Sequence, residues 1–399
     1  YAFGDILDDV FVAGAGDAAA LAAATHVPAV VWGGAWLVAG VGLRGQGVNG
    51  LATGSIEISG VPADADVVAA FLYWQVITTQ ANGPDSGSLP VTFKGHPLRS
   101  AEGPFAKVLT TVGTAPCWSS GGSTGGSGGS KGTYTYRADV LRYFSVDEAT
   151  RKLAVNGAHL VSVPDSGSNG NTMPLALGAS LVVVYRVPTM PLSAIVIYDG
   201  GYTLDNSTGQ MFQTIGGFYQ PVNPAVAKLT PIVGGGQMSK SETLLFDAGN
   251  TATSTLATNP FRSAVGDSWD NPTFVGLALG TSPGSVTEVT TGVSPSSDCL
   301  TWGAVIFRTE VQDSDNDGLL DVWESSDGPI LDPNGQALPN LKAMGADPYQ
   351  KDLFVEIGYM KADAPTPYGG VVKPAHTHLP THAALKLMGD AFANAPSGP

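Results

Sequence analysis

Short runs of apolar and β-branched residues, often alternating with polar ones, recur between residues 56 and 311. They are Ile56–Ser59, Val67–Ile77, Val91–Lys94, Thr133–Arg137, Leu153–Val163, Leu181–Arg186, Ala194–Leu204, Glu242–Phe246, Thr273–Leu279, Glu288–Val293 and Ala304–Val311. Lengths of this order with a period near two predict strands. Turn-forming pairs fall between them, among them Asn49-Gly50, Asn82-Gly83, Asn156-Gly157 and Asn169-Gly170. Ile195–Tyr202, interrupted by Asp199-Gly200-Gly201, reads as a tight hairpin. More than ten short strands without helical periods predict a mainly β fold, an antiparallel β-sandwich. One large jelly-roll-like sandwich with insertions, or two sandwiches divided near residue 190, both suit residues 1–311. After Val311 the pattern changes, and residues 312–399 are expected to form a small α+β calcium-binding region. It holds an acidic loop, a Pro/Gly/Asn-rich stretch, one strand at Leu353–Tyr359 and a closing helix from about Thr381. Ala384, Leu387, Met388, Ala391 and Phe392 give that helix its spacing.

Composition narrows the class. The chain has 399 residues, enough for two or three domains. Its 52 glycines and 28 prolines argue against a helical bundle, and a hydrophobic content of 43% argues against disorder. The net charge is −15, and no Lys/Arg cluster occurs, so a nucleic-acid partner is not expected. Acid concentrates at one end: residues 310–399 hold 13 Asp/Glu against 5 Lys, which points to cation binding there. Residues 18–43 carry no charge, yet His26, Pro28, Gly33, Gly34, Gly40 and Gly42 divide them. Short apolar pieces of that kind read as buried strands, so no membrane span is expected. Tyr1 is followed by Asp5, Asp8 and Asp9 with no basic segment, which reads as the mature terminus of a secreted protein, extracellular or at the cell surface. Cys117 and Cys299 either bridge or remain two buried thiols, and the Gly/Ser tract 119–130 is expected to be an exposed loop.

The sharpest motif is Asp313-Ser-Asp315-Asn-Asp317-Gly318-Leu319-Leu320-Asp321-Val-Trp323-Glu324. It fits the twelve-residue calcium loop at every required position. Asp313, Asp315 and Asp317 would surround a hard cation, Gly318 would permit the sharp turn, and Leu319 would offer its carbonyl. Asp321 would bind directly or through water, Glu324 would close the shell with both oxygens, and Leu320 would point to the core. The segment before the loop reads as a strand, so this is a single EF-hand-like loop. Extracellular sites of this kind bind Ca²⁺ with dissociation constants of about 10⁻⁴–10⁻³ M, which suits a structural role better than a switch.

That loop, followed by Met344-Gly-Ala-Asp-Pro-Tyr-Gln-Lys351-Asp352-Leu-Phe-Val-Glu356-Ile and His376-Thr-His378, resembles a segment of large secreted bacterial proteins. Those proteins carry thrombospondin-type-3-like calcium loops, and some continue into zincin-type metalloprotease domains. Phe71-Leu-Tyr-Trp74, Pro116-Cys117-Trp118 and Tyr136-Arg-Ala-Asp139-Val resemble the β-sandwich that precedes the loop in them. Gly358 stands where the Glu-Ile-Asp-Tyr-Met form of the strand has Asp. The chain contains no His-Glu-x-x-His among His26, His96, His159, His376, His378 and His382. A peptidase function, if implied, therefore belongs to a part beyond these residues. His376, His378 and His382 read as solvated loop histidines, with a two-ligand metal arrangement as the sharper alternative.

Other matches carry less. Gly14-Ala-Gly16-Asp-Ala-Ala19 and Gly40-Val-Gly42-Leu-Arg-Gly45 imitate dinucleotide fingerprints without the βα pattern that would follow. Gly121–Gly125 and Gly125–Gly129 have nucleophile-elbow spacing only because the tract is Gly and Ser. Tyr73, Trp74, Trp118, Tyr134, Tyr136, Tyr198, Tyr202, Phe218 and Tyr219 would either line a carbohydrate platform or fill the core between sheets. The sequence thus favours a non-enzymatic, calcium-stabilised structural or adhesive protein, a surface or filament subunit self-associating through strand edges. A surface polysaccharide or protein is an alternative partner. The non-catalytic N-terminal portion of a secreted metalloprotease and a lectin-like module are the competing readings.

Overall fold

A computed structural model describes residues 29–32, 34–79, 91–98, 108–115, 131–170, 172–187, 190–204, 210–216, 218–219, 225–249, 253–265, 268–279, 288–294, 298, 300–330, 337, 339–354 and 357–394. Two compact units are present. The larger ends at Asp352, and the smaller comprises the described residues from Leu353 onward. Cys117, Cys299, the tract 119–130 and the Gly14–Ala19 segment lie outside the described residues.

The strands of the larger unit begin with β1 (Ala29–Trp32), β2 (Ala35–Gly42), β3 (Leu51–Ile58), β4 (Asp66–Thr79), β5 (Thr92–Phe93) and β6 (His96–Pro97). Then come β7 (Val108–Thr114), β8 (Lys131–Asp139), β9 (Gly157–Pro164), β10 (Leu175–Arg186) and β11 (Ser193–Thr203). The series closes with β12 (Met211–Ile215), β13 (Val226–Gly234), β14 (Thr243–Asp247), β15 (Ser254–Thr258), β16 (Trp269–Asp270), β17 (Phe274–Ala278), β18 (Val289–Val293) and β19 (Thr301–Glu310). They form four antiparallel sheets. The first sandwich pairs an outer sheet β3-β9-β5-β6 with an inner sheet β2-β10-β4-β8-β7. The second pairs an inner sheet β1-β11-β19-β13, extended by β16 and β17, with an outer sheet β12-β18-β14-β15.

The two inner sheets pack on each other, and this explains their sequences. In β10, Ala179, Leu181, Val183 and Tyr185 face the core of the first sandwich, while Leu177, Val182 and Val184 face the second inner sheet. In β4, Ala70, Leu72, Trp74 and Val76 point one way and Ala69, Phe71, Tyr73 and Ile77 the other. In β19, Trp302, Val305 and Phe307 enter the second sandwich, and Ala304 and Ile306 the layer between. A strand with both faces buried has no polar alternation, so these read as continuous apolar runs. Each large aliphatic buried in this way contributes roughly 1.5–3 kcal/mol.

The stretch Ile195–Tyr202 is not a hairpin. It lies within the single strand β11, paired with β19 throughout, and Asp199-Gly200-Gly201 forms a bulge between the Asp199 and Tyr202 registers. Gly200, at φ 152°, takes up the irregularity without turning the chain. Gly40–Gly45 likewise opens no fingerprint turn, because β2 runs extended through Gly42.

In the smaller unit, the expected strand Leu353–Tyr359 is not formed at its described positions. Leu353 and Tyr359 are exposed there, and no neighbouring strand pairs with them. Two small two-stranded ladders take its place, the second a hairpin that lies in sequence between the strands of the first. One joins β20 (Lys361–Ala362) to β23 (His376–Thr377), the other β21 (Thr366–Tyr368) to β22 (Val371–Lys373). Gly369 and Gly370 turn the second at positive φ, as a two-residue loop requires. The closing helix begins at His382 as expected, with Thr381 Oγ1 accepting from the Ala384 N–H. Among the described residues, no helix is long and apolar enough to cross a membrane.

Candidate metal centre

The acidic loop leaves β19 and enters a short helix, α1 (Asp321–Ser325). Leu320 is buried in the core of the second sandwich, with Val322 and Trp323 packed against it, so the loop is anchored from below. Asn316 and Gly318 both take positive φ, 61° and 101°, which curls the loop so that successive backbone amides turn inward. The Asp317 N–H reaches Asp313 Oδ1 at 3.2 Å and Asp315 Oδ1 at 3.1 Å. Gly318 donates to Asp313 Oδ2 at 3.1 Å, and Leu319 donates to Asp317 Oδ1 at 2.7 Å. Carboxylate oxygens of Asp313, Asp315 and Asp317 lie within 4.8 Å of one another.

Glu324 closes the arrangement from α1. It is 1% exposed, and neither of its carboxylate oxygens has a hydrogen-bond partner. Asp315 Oδ2 is likewise buried without a partner. Burial, followed by the charges of Asp317, Asp315, Asp352 and Asp321, pushes the Glu324 carboxyl up to about 7. Burial also raises Asp313, against the lowering effect of its backbone donors. A buried carboxylate without donors is costly unless a cation meets it.

One expected ligand has other partners in the structure. Asp321 gives one oxygen to the Ser314 N–H (2.7 Å) and the other to the Ser314 hydroxyl (2.6 Å), bracing the start of the loop. Leu319 holds its seventh position, its N–H engaged by Asp317. One residue is added that the twelve-residue pattern does not contain. Asp352 brings a carboxylate oxygen within 4.8 Å of those of Asp317 and Glu324, and its N–H donates to Asp317 Oδ2 at 2.7 Å. Lys351, beside it, donates to the Asn316 carbonyl at 2.8 Å. A carboxylate arriving from so far along the chain leaves no trace in loop spacing. Its only signal was its place in the segment that carries the resemblance.

The donor set is wholly oxygen and carboxylate-rich, which fits Ca²⁺ and not a soft metal. Asp313, Asp315, Asp317 and Glu324 would supply side-chain oxygens for it, and the unpartnered oxygens of Glu324 and Asp315 are what such an ion would satisfy. His376 and His378 meet edge to face, 5.0 Å between ring centres, with His376 Nδ1 against the Pro374 carbonyl. They belong to no three-ligand cluster among the described residues. Of the aromatics, Tyr73, Trp74, Tyr134 and Phe218 are buried, Tyr136, Tyr198 and Tyr219 partly so, and Tyr202 exposed. Trp118 lies outside the described residues.

Compared with known proteins, the chain matches no family model, no curated protein and no solved structure.

Proposed function

We propose that this is a non-enzymatic extracellular protein of structural or adhesive type, whose β-sandwich body ends in a loop held by Ca²⁺. The observation that carries this reading is the buried Glu324 carboxylate, with both oxygens unpartnered, beside Asp317, which in turn converges with Asp313 and Asp315. The ion is held by Asp313, Asp315, Asp317 and Glu324, completed by the Leu319 carbonyl and by Asp321 through water. Support for a structural role comes from the anchoring of Leu320 in the sandwich core, which ties loop order to the fold. At about 2 mM Ca²⁺, a site of ~10⁻⁴ M affinity adds roughly 2 kcal/mol to folded-state stability.

Paired thermal melts test it, one in millimolar Ca²⁺ and one in excess chelator, on the intact chain and on Asp315→Ala. Ca²⁺ raises the melting temperature of the native chain, and the substitution removes that rise while leaving the chelated melt in place. Equal melts for the native chain in both conditions overturn the reading. Electron microscopy of the same samples addresses self-association: ordered polymers that fray on chelation place Ca²⁺ at or near subunit contacts, and dispersed monomers in both remove the assembly role.

A further inference from the structure

Asp352 lies 28 positions beyond Glu324, yet its carboxylate joins those of Asp317 and Glu324 in a group whose oxygens are all within 4.8 Å of one another. Ca²⁺ binds oxygens at 2.3–2.6 Å, so two ligands of one ion stand at most about 5 Å apart. The observed spacing lies inside that limit. Three carboxylates brought so close repel, and the buried Glu324 among them has no donor of its own. The approach of Asp352 is fixed by local structure. Its N–H is bound to Asp317 Oδ2, its Oδ2 accepts from the Asp347 N–H at 2.9 Å, and Lys351 is anchored on the Asn316 carbonyl. Asp347 itself closes a tight turn, bridging to Gln350 and accepting from the Tyr349 N–H at 3.0 Å. The segment is thereby folded to present Asp352 to the loop.

We propose that Asp352 is a direct ligand of the cation, so that the ion clips residues 347–352 onto the loop 313–324. This rests on the calcium reading above and goes beyond it: the site is a two-segment clamp, in which metal binding closes a 28-residue excursion of the chain. An ion-closed loop of that length restricts the unclosed chain, and its order depends on the ion.

The test uses the full chain and Tb³⁺ as a luminescent stand-in for Ca²⁺, with Trp323 as sensitiser and Ca²⁺ as competitor. Asp352→Asn keeps the N–H to Asp317 and an oxygen for Asp347, so the segment retains its fold while losing a charged ligand. Its expected effects are a Ca²⁺ affinity weaker by about tenfold or more, and one more water on bound Tb³⁺, read from lifetimes in H₂O and D₂O. Hydrogen exchange supplies an independent readout: Ca²⁺ slows exchange at 347–352 in the native chain and not in the variant. Unchanged affinity and unchanged hydration in Asp352→Asn overturn the proposal. Loss of binding in Asp315→Ala alongside that result leaves the loop site standing without Asp352. A native chain that binds neither Tb³⁺ nor Ca²⁺ overturns both.

Discussion

The indole of Trp269 rests directly on the backbone of Gly178. A Cβ at Gly178 would come within 2.3 Å of the Trp269 ring, and the indole N–H donates to Ser180 Oγ at 2.9 Å on the same strand. Trp269 belongs to the inner sheet of the second sandwich and Gly178 to that of the first, so this contact sets how closely the two sheets approach. Gly178→Ala forces a ring in a filled layer to move and is expected to destabilise by about 2–3 kcal/mol. Urea unfolding followed by tryptophan fluorescence measures it, and a change below about 0.5 kcal/mol would falsify the role assigned to this contact.

A charged pair crosses the same layer. Asp199, at the β11 bulge, accepts from Arg137 on β8 and from the Tyr73 hydroxyl at 3.1 Å on β4. Burial works against the Arg137 charge, but Asp199 and Tyr73 together outweigh it and hold the guanidinium above its ordinary range. Removing one partner leaves a largely buried charge unmatched. Asp199→Ala should therefore cost about 3 kcal/mol or more, while Arg137→Met with Asp199→Leu recovers most of it. Denaturation midpoints of the three variants decide the matter, and an Asp199→Ala midpoint equal to the native one contradicts it.

Why some strands were legible and others not follows from the same packing. The apolar runs of β4, β10 and β19 announce themselves because both faces are buried. Strand β13 escapes notice because Pro231 interrupts it, and proline is read as a strand breaker. Its tolerance is topological: β17 pairs with Val226–Leu229 and β16 with Val233–Gly234, so Pro231 falls in the gap between them. Asp199-Gly200-Gly201 imitates a turn because bulges and turns draw on the same residues. In the site, the twelve-residue spacing locates the loop aspartates and Glu324, whereas Asp352 is brought in by tertiary folding that no local pattern records. The division of labour between Asp315, turned inward, and Asp321, turned to Ser314, is equally a matter of rotamers and not of spacing.

That division has its own signature. Asp321→Ala removes two hydrogen bonds that exist without any ion and should lower the melting temperature in chelator as well as in Ca²⁺. Asp315→Ala removes only a contact from the Asp317 N–H that Asp313 also accepts, so it should leave the chelated melt nearly in place and act in Ca²⁺. Differential scanning calorimetry of both variants under both conditions separates them, and identical profiles would contradict the assigned roles.

Glu242 offers a pH test away from the acidic loop. It is buried, with Oε1 accepting from the Phe261 N–H at 2.9 Å and Oε2 unpartnered, and it faces Asp298 and Asp270 as well as Arg262. Burial first, then the two aspartates, pushes its carboxyl up to about 7. An unfolded glutamate ionises near pH 4.3. The folded state therefore binds the extra proton between these values, and stability falls as pH rises from about 4.5 to 7 and is level above it. Glu242→Gln should remove this fall, worth at most about 3 kcal/mol, from a stability profile taken between pH 5 and 8. Parallel profiles for variant and native chain would show that Glu242 does not titrate differently on folding.

The two inner sheets have no outside, and this orders the birth of the molecule in time. As the chain is made, the first sandwich is complete in sequence at Arg186, but the face bearing Trp36, Phe71, Tyr73, Val182 and Val184 is not fully covered until β19 has emerged at Glu310. At ribosomal speed that interval is on the order of ten seconds. Through it the nascent chain carries a broad sticky surface, so its safe maturation depends on a holding partner or on delayed folding rather than on the sandwich finishing by itself.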